Sequence, residues 1–113
     1  VNAVDDPPNC DFFVPAVLRR DSLVLAISTE GKSPLLARRL RDWLGEIINE
    51  TYGEFVEMLG EKRDYIKNTI PDIDKRRQLF ETLVTPEILA LVEAGDIEKV
   101  RERVEKCMFS WQE

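Results

Sequence analysis

The chain has 113 residues, 43% of them hydrophobic, which suits one compact unit or one domain and part of another. A net charge of −6 excludes a broad nucleic-acid surface, because neutralising phosphates needs a basic excess. No apolar run reaches the ~20 residues of a membrane span and no signal peptide is visible, so neither nucleic acid nor a membrane is expected as a partner.

Residues 1–4 read as a strand, stopped by Asp5-Asp6-Pro7-Pro8, since proline removes an N–H donor and pushes its predecessor out of the helical region. The chain opens inside this strand and not at a Met, the mark of a piece of a longer protein. Residues 5–10 form a loop. Phe12 to Leu18 is a β-type run, and Pro15 within it favours an edge or bulged strand. Arg19-Arg20-Asp21-Ser22 reads as the turn of a hairpin. Leu23 to Ile27 is continuously apolar, as in a strand buried on both faces.

Ser28-Thr29-Glu30-Gly31-Lys32-Ser33-Pro34 then ends the strand and opens a helix, with Ser33 as N-cap and Pro34 at the first helical position. That helix carries an apolar stripe of Leu36, Leu40, Trp43, Leu44, Ile47 and Ile48, with Trp43 expected in the core. Its other face carries Arg38, Arg41, Asp42 and Glu46. Gly53 is read as punctuation before a helix over 54–69, with Phe55, Met58, Leu59, Tyr65 and Ile66 inward and Gly60 weakening its middle. Asp72 or Asp74 caps a third helix through Leu83. Thr85-Pro86 opens a fourth that Gly95 ends. The last helix spans about 96–109, with Ile97, Val100, Val104 and Met108 on one stripe. The fold class is therefore α+β, a short β segment over 1–32 and a mostly helical domain over 33–113. So short a β segment cannot bury its own faces and needs a partner sheet, from upstream sequence or from a second copy.

The chemistry gathers around the loop. A helix N-terminus presents unpaired N–H groups and the positive end of the dipole to an anion. Gly31 lets backbone approach closely, Ser28, Thr29 and Ser33 add hydroxyls, and Lys32, Arg38 and Arg39 add charge. The loop is neither a Walker A sequence nor a G-x-G-x-x-G fingerprint, so the chain by itself is not expected to bind a dinucleotide. There is no histidine, which excludes the usual catalytic triads, and a Ser-Lys arrangement at Lys32-Ser33 has no other support. The two cysteines, Cys10 and Cys107, lie at opposite ends and read as buried free thiols of a reducing, cytoplasmic compartment, not as a zinc site or disulfide. A carboxylate is then the best acid–base candidate, and Asp5 at a strand end is well placed, although a solvated loop aspartate fits the same spacing.

The order V-N-x-V-D-D, C-D-F-x-x-P-A, A-I-S-T-x-G-K-S-P, L-A-R-x-L-R resembles the siroheme synthase family of precorrin-2 dehydrogenases, many of which double as sirohydrochlorin ferrochelatases. The match is dense over Asn2 to Arg41 and looser to about Leu83. The resemblance implies a complete protein with an N-terminal Rossmann domain for NAD, a dimerisation region and a helical domain. This chain would begin at the last Rossmann strand, continue through a dimerisation hairpin and work as a homodimer. Precorrin-2 is oxidised to sirohydrochlorin with NAD, and some members then insert ferrous iron. Asp5 would be the residue linked with catalysis and transient metal contact. The Ser28–Pro34 loop would face the tetrapyrrole, with Ser28, Thr29, Gly31, Lys32, Ser33, Arg38 and Arg39 as the substrate-binding set. Glu30 stands where the family usually has glycine; its carboxylate would repel an acidic substrate unless turned away, and its side chain restricts the backbone. Two other readings use the same residues: a helical dimerisation module without catalysis, and a tetrapyrrole-binding or metal-delivery protein without a redox step.

Overall fold

A computed structural model describes residues 14–111 of the chain. Two strands come first, β1 (Ala16–Arg20) and β2 (Leu23–Ile27), forming a two-stranded antiparallel sheet. Five helices follow: α1 (Pro34–Ile47), α2 (Glu50–Thr69), α3 (Ile73–Leu83), α4 (Pro86–Glu93) and α5 (Ile97–Ser110). The strand expected at residues 1–4, and with it Asp5 and Cys10, lies outside the described residues. The α+β class stands.

The described residues fall into two compact units. One comprises residues 14–19 with Val24–Ile47; the other comprises Arg20–Leu23 with residues 48–111. Helix α1 thus groups with the strands, and the boundary falls between Ile47 and Ile48.

The hairpin is tighter than the sequence suggested. β1 starts only after Pro15, which cannot donate to a ladder, and Arg19 and Arg20 belong to the strand and not to the turn. The turn is Asp21-Ser22 alone, with Asp21 in the left-handed region at φ 54°. β2 is not buried on both faces: half-buried residues alternate with exposed ones, and Val24 is 45% exposed. The uninterrupted apolar run had concealed this alternation.

The second unit contains a cluster of four helices whose N-caps are all supplied by side chains. Asn49 caps α2, its Oδ1 accepting from Thr51 N at 2.9 Å, while its Nδ2 donates to the carbonyl of Glu93. This starts α2 at Glu50, earlier than the position inferred from Gly53, which lies inside the helix. The reason is tertiary. A Cβ at Gly53 would stand 2.9 Å from the backbone carbon and oxygen of Arg20, so the position is a close approach and not a helix start. Asp72 caps α3, Thr85 caps α4 with Pro86 at its first position, and Asp96 caps α5. Gly95, at φ 81°, ends α4: its N–H and that of Asp96 donate back to the carbonyls of Val92 and Leu91, the paired bonds of a Schellman motif. Arg76 donates to the carbonyls of Ile70 and Lys67 and so closes the end of α2.

One apolar cluster holds this unit together. It joins Phe55, Met58 and Ile66 of α2, Leu79 and Leu83 of α3, Ile88 and Val92 of α4, and Val100, Val104 and Met108 of α5. Each fully buried aliphatic side chain stabilises the fold by roughly 1.5–3 kcal/mol. Tyr65, expected inward, is 46% exposed; it neighbours Ile66 on the helix and so points about a quarter-turn off the buried stripe. Cys107 is a half-buried free thiol whose Sγ lies 3.6 Å from the carbonyl oxygen of Thr82.

Candidate ligand cleft at the strand-to-helix loop

The loop after β2 is shaped by its own hydroxyls. Ser28 Oγ accepts from Glu30 N at 3.1 Å, and Thr29 Oγ1 accepts from Ser33 N at 2.9 Å. Lys32 N donates to the carbonyl of Thr29 at 3.1 Å, closing a four-residue turn. Both central residues of that turn have positive φ, Glu30 at 59° and Gly31 at 80°, the pattern of a type I′ turn. Ser33 Oγ then accepts from Leu36 N at 3.1 Å, which is the expected N-cap of α1.

This fold of the loop explains where Glu30 goes. A left-handed backbone costs an ordinary residue roughly 1–2 kcal/mol and glycine almost nothing, so the position suits the glycine that the resemblance assigns to it. The carboxylate is turned out to solvent and accepts from Lys32 Nζ at 3.2 Å, with both side chains more than three-quarters exposed. Glu30 therefore offsets the charge of Lys32 at the loop's outer edge.

Inside the turn lies a cleft of about 450 Å³, within the ordinary range for a small-molecule site. Ser28, Thr29 and Gly31 form its loop side. Ala16 and Ile27 of the strands, with Val14 and Pro15 just before β1, form an apolar wall, and Pro34 and Ala37 continue it along α1. Arg38 and Arg41 complete the lining. An apolar wall faced by two guanidinium groups and a pair of hydroxyls suits a flat, largely apolar ligand with acid groups at its edge. A hydroxyl that accepts within the loop still has an O–H to donate.

Of the residues singled out from the sequence, the structure brings together Ser28, Thr29, Gly31 and Arg38 around the cleft. Lys32 pairs with Glu30, Ser33 uses its Oγ for the cap, and Arg39 is exposed on α1 outside the lining. Arg20, at the end of β1, donates from Nε to the carbonyl of Ile48 at 2.9 Å, and both residues belong to the helical unit. Seven lining residues were not in the expected set: Val14, Pro15, Ala16, Ile27, Pro34, Ala37 and Arg41. Arg41 was detectable in the sequence, because it follows Arg38 by three positions and shares its helical face. Asp5 lies outside the described residues.

Among the described residues no group of three or more carboxylates, thiols or imidazoles could hold a metal ion. No helix there is long and apolar enough to cross a membrane. Outside the cleft, burial, and secondarily the charge of Glu93, pushes the Tyr52 phenol above its ordinary value. The described residues do not fit NAD, for their sheet is an antiparallel pair and the loop lacks the glycine spacing of a dinucleotide turn.

Residues 51–108 match the family described as the sirohaem synthase dimerisation region, and residues 20–46 match the sirohaem biosynthesis protein central region. This chain belongs to the sirohaem synthase family. It is 41% identical over 95 residues to a siroheme synthase of Psychrobacter sp., covering 84% of this chain and 20% of that protein. It is 35% identical over 113 residues, its whole length, to siroheme synthase 1 of Pectobacterium atrosepticum, of which it covers 24%. Among solved structures it resembles SirC, precorrin-2 dehydrogenase, with a TM-score of 0.70 and 26% identity over 88% of this chain and 47% of that one. The chain therefore spans about a fifth to a quarter of the length of these curated relatives. The cleft lies within or just beside the matched central region, whereas the closed apolar cluster lies within the dimerisation region.

Proposed function

We propose that this chain is the central and dimerisation part of a cytoplasmic enzyme that oxidises precorrin-2 to sirohydrochlorin, with NAD bound by an upstream Rossmann domain. The observation that carries the reading is the cleft, in which an apolar wall, two arginines and loop hydroxyls face one space beside the matched central region. A tetrapyrrole edge has the complementary character: a flat apolar ring with carboxylates around it. Insertion of ferrous iron into the product is the second activity that this site would serve.

The chain's own contribution is binding and proton transfer. The loop Ser28–Ser33 and Arg38 hold acid groups of the macrocycle, and Lys32 and Arg39 extend the positive field at the edge. Oxidation removes a proton from the macrocycle as well as a hydride, and metal entry displaces protons from the pyrrole nitrogens. Asp5, two residues before the Pro7-Pro8 stop in the sequence, is assigned as the acceptor in both. The working protein is a homodimer, supported by the match to a dimerisation region and by the half-exposed apolar side chains Val17, Val24, Leu36 and Trp43.

The deciding experiment assays the complete protein with precorrin-2, NAD and ferrous iron, alongside Asp5→Asn and Asp6→Asn. Asp5→Asn keeps the shape and removes the base, so turnover should fall by ~10²–10⁴, whereas Asp6→Asn should change it far less. Near-normal dehydrogenase and chelatase rates in Asp5→Asn would remove the assignment of Asp5. No oxidation by the unaltered protein would remove the dehydrogenase reading.

A further inference from the structure

We infer that Arg41 is a second carboxylate-binding residue of the cleft, paired with Arg38, and that Asp42 holds its guanidinium in position. The inference rests on the tetrapyrrole reading above and names how the ligand's acid groups are recognised. Arg38 and Arg41 are three residues apart on α1, so their side chains leave the same face, with Cβ atoms ~5–6 Å apart. Both line the cleft, and the wall they look onto is apolar, formed by Pro15, Ala16 and Ile27. The other nearby cation in the loop, Lys32, is already matched by Glu30. The positive charge directed at the cleft is therefore that of two guanidinium groups, not of the loop lysine.

The two arginines are held differently. Arg41 donates from Nε to Asp42 Oδ1 at 3.1 Å, and its side chain is only 33% exposed. A guanidinium has five N–H donors in a fixed fork. The tether occupies Nε and leaves the terminal nitrogens for a second carboxylate, which they can grip through two parallel bonds. Asp42, on the more exposed side at 67%, thus reduces the rotamer freedom that Arg41 would otherwise lose on binding. Two forks on one helical face select a ligand with two acid groups on the same edge over a ligand with one. Lysine at position 41 would retain charge without the planar fork.

The test is binding of the octacarboxylate uroporphyrin and of a dicarboxylate porphyrin to the complete protein, followed by fluorescence quenching at several salt concentrations. Arg38→Ala and Arg41→Ala should each raise the Kd for uroporphyrin by roughly ten-fold or more, since a hydrogen bond to a charged group is worth ~1.5–3 kcal/mol. Both should raise it less for the dicarboxylate porphyrin and flatten the salt dependence. Arg41→Lys should recover only part of the loss, and Asp42→Asn should weaken binding several-fold without altering thermal unfolding. Lys75→Ala, on α3, is the control for net charge. Three outcomes overturn the inference while leaving the site in place: Arg38→Ala weakens binding and Arg41→Ala does not; Arg39→Ala weakens it more than Arg41→Ala; or Arg41→Lys binds as the unaltered protein does. If Arg38→Ala, Arg41→Ala and Gly31→Leu all bind normally, the cleft is not the tetrapyrrole site and the underlying reading fails with it.

Discussion

The two units of this chain satisfy the hydrophobic effect in opposite ways. In the helical unit, seven large aliphatic side chains, Ile66, Leu79, Leu83, Ile88, Val92, Val100 and Val104, are almost wholly buried, and four helices share them. In the unit of strands, loop and α1, the buried apolar residues are Ala16, Leu18 and Ala37, two of them alanines. Its large apolar side chains stay open, with Leu35 at 53%, Leu36 at 49% and Trp43 at 57% exposure. One unit completes its own core; the other presents apolar surface that its described residues leave uncovered. The cleft belongs to the second kind, and a binding site benefits from that. A concave apolar wall keeps favourable burial energy available for a ligand only where the chain has not already filled it.

Three sets of substitutions would break or sharpen this contrast. Ile66→Ala should have the largest effect, costing roughly 2–5 kcal/mol because the transfer loss and the cavity add in a core that cannot collapse. Chemical denaturation would measure it, and a loss under about 1 kcal/mol would mean that the helical core is looser than its burial implies. Next come the two glycines of α2, which should differ in sign. Gly60 has nothing within 4 Å of an added Cβ, so Gly60→Ala should stabilise by up to about 1 kcal/mol through helix propensity. Gly53→Ala would drive a methyl group against the Arg20 backbone, and overpacking of ~1–3 kcal/mol exceeds the same propensity gain. Equal, stabilising shifts in melting temperature for both would show that the Gly53 contact yields easily. Smallest in stability is Trp43→Asp, under about 0.5 kcal/mol for the dissociated chain, as for most exposed positions. Its effect should fall on association: light scattering should give twice the chain mass for the unaltered protein and move toward the monomer mass for the variant. A monomer from the unaltered chain at micromolar concentration would remove the homodimer assignment.

Much of the candidate site was legible from local chemistry. Ser33-Pro34 marks the start of α1 because a hydroxyl cap followed by a residue without an N–H serves a helix start and little else. Gly31 marks a turn because positive φ is inexpensive there. The loop hydroxyls and Arg38 followed from the same stretch. Arg41 was placed on the same helical face as Arg38 but left out of the binding set, since only the strand wall shows which side of α1 looks into the cleft. The pairing of Lys32 with Glu30 is likewise a matter of rotamers, which no spacing specifies.

The sequence by itself determined the number and order of the elements within the described residues, the α+β class, the caps at Ser33 and Thr85, and the stripe of α5. Each is set by interactions within a few residues, through backbone donors, capping oxygens and the helical period. Tertiary structure alone decided that Gly53 is an interior contact and not a helix start, because its reason is a backbone carbonyl thirty-odd positions earlier in the chain. It also decided that Trp43 and Tyr65 are exposed while Val100 and Val104 are buried. An apolar stripe states that a helix face seeks cover, but burial depends on which surfaces meet it, and that is a property of residues distant in sequence.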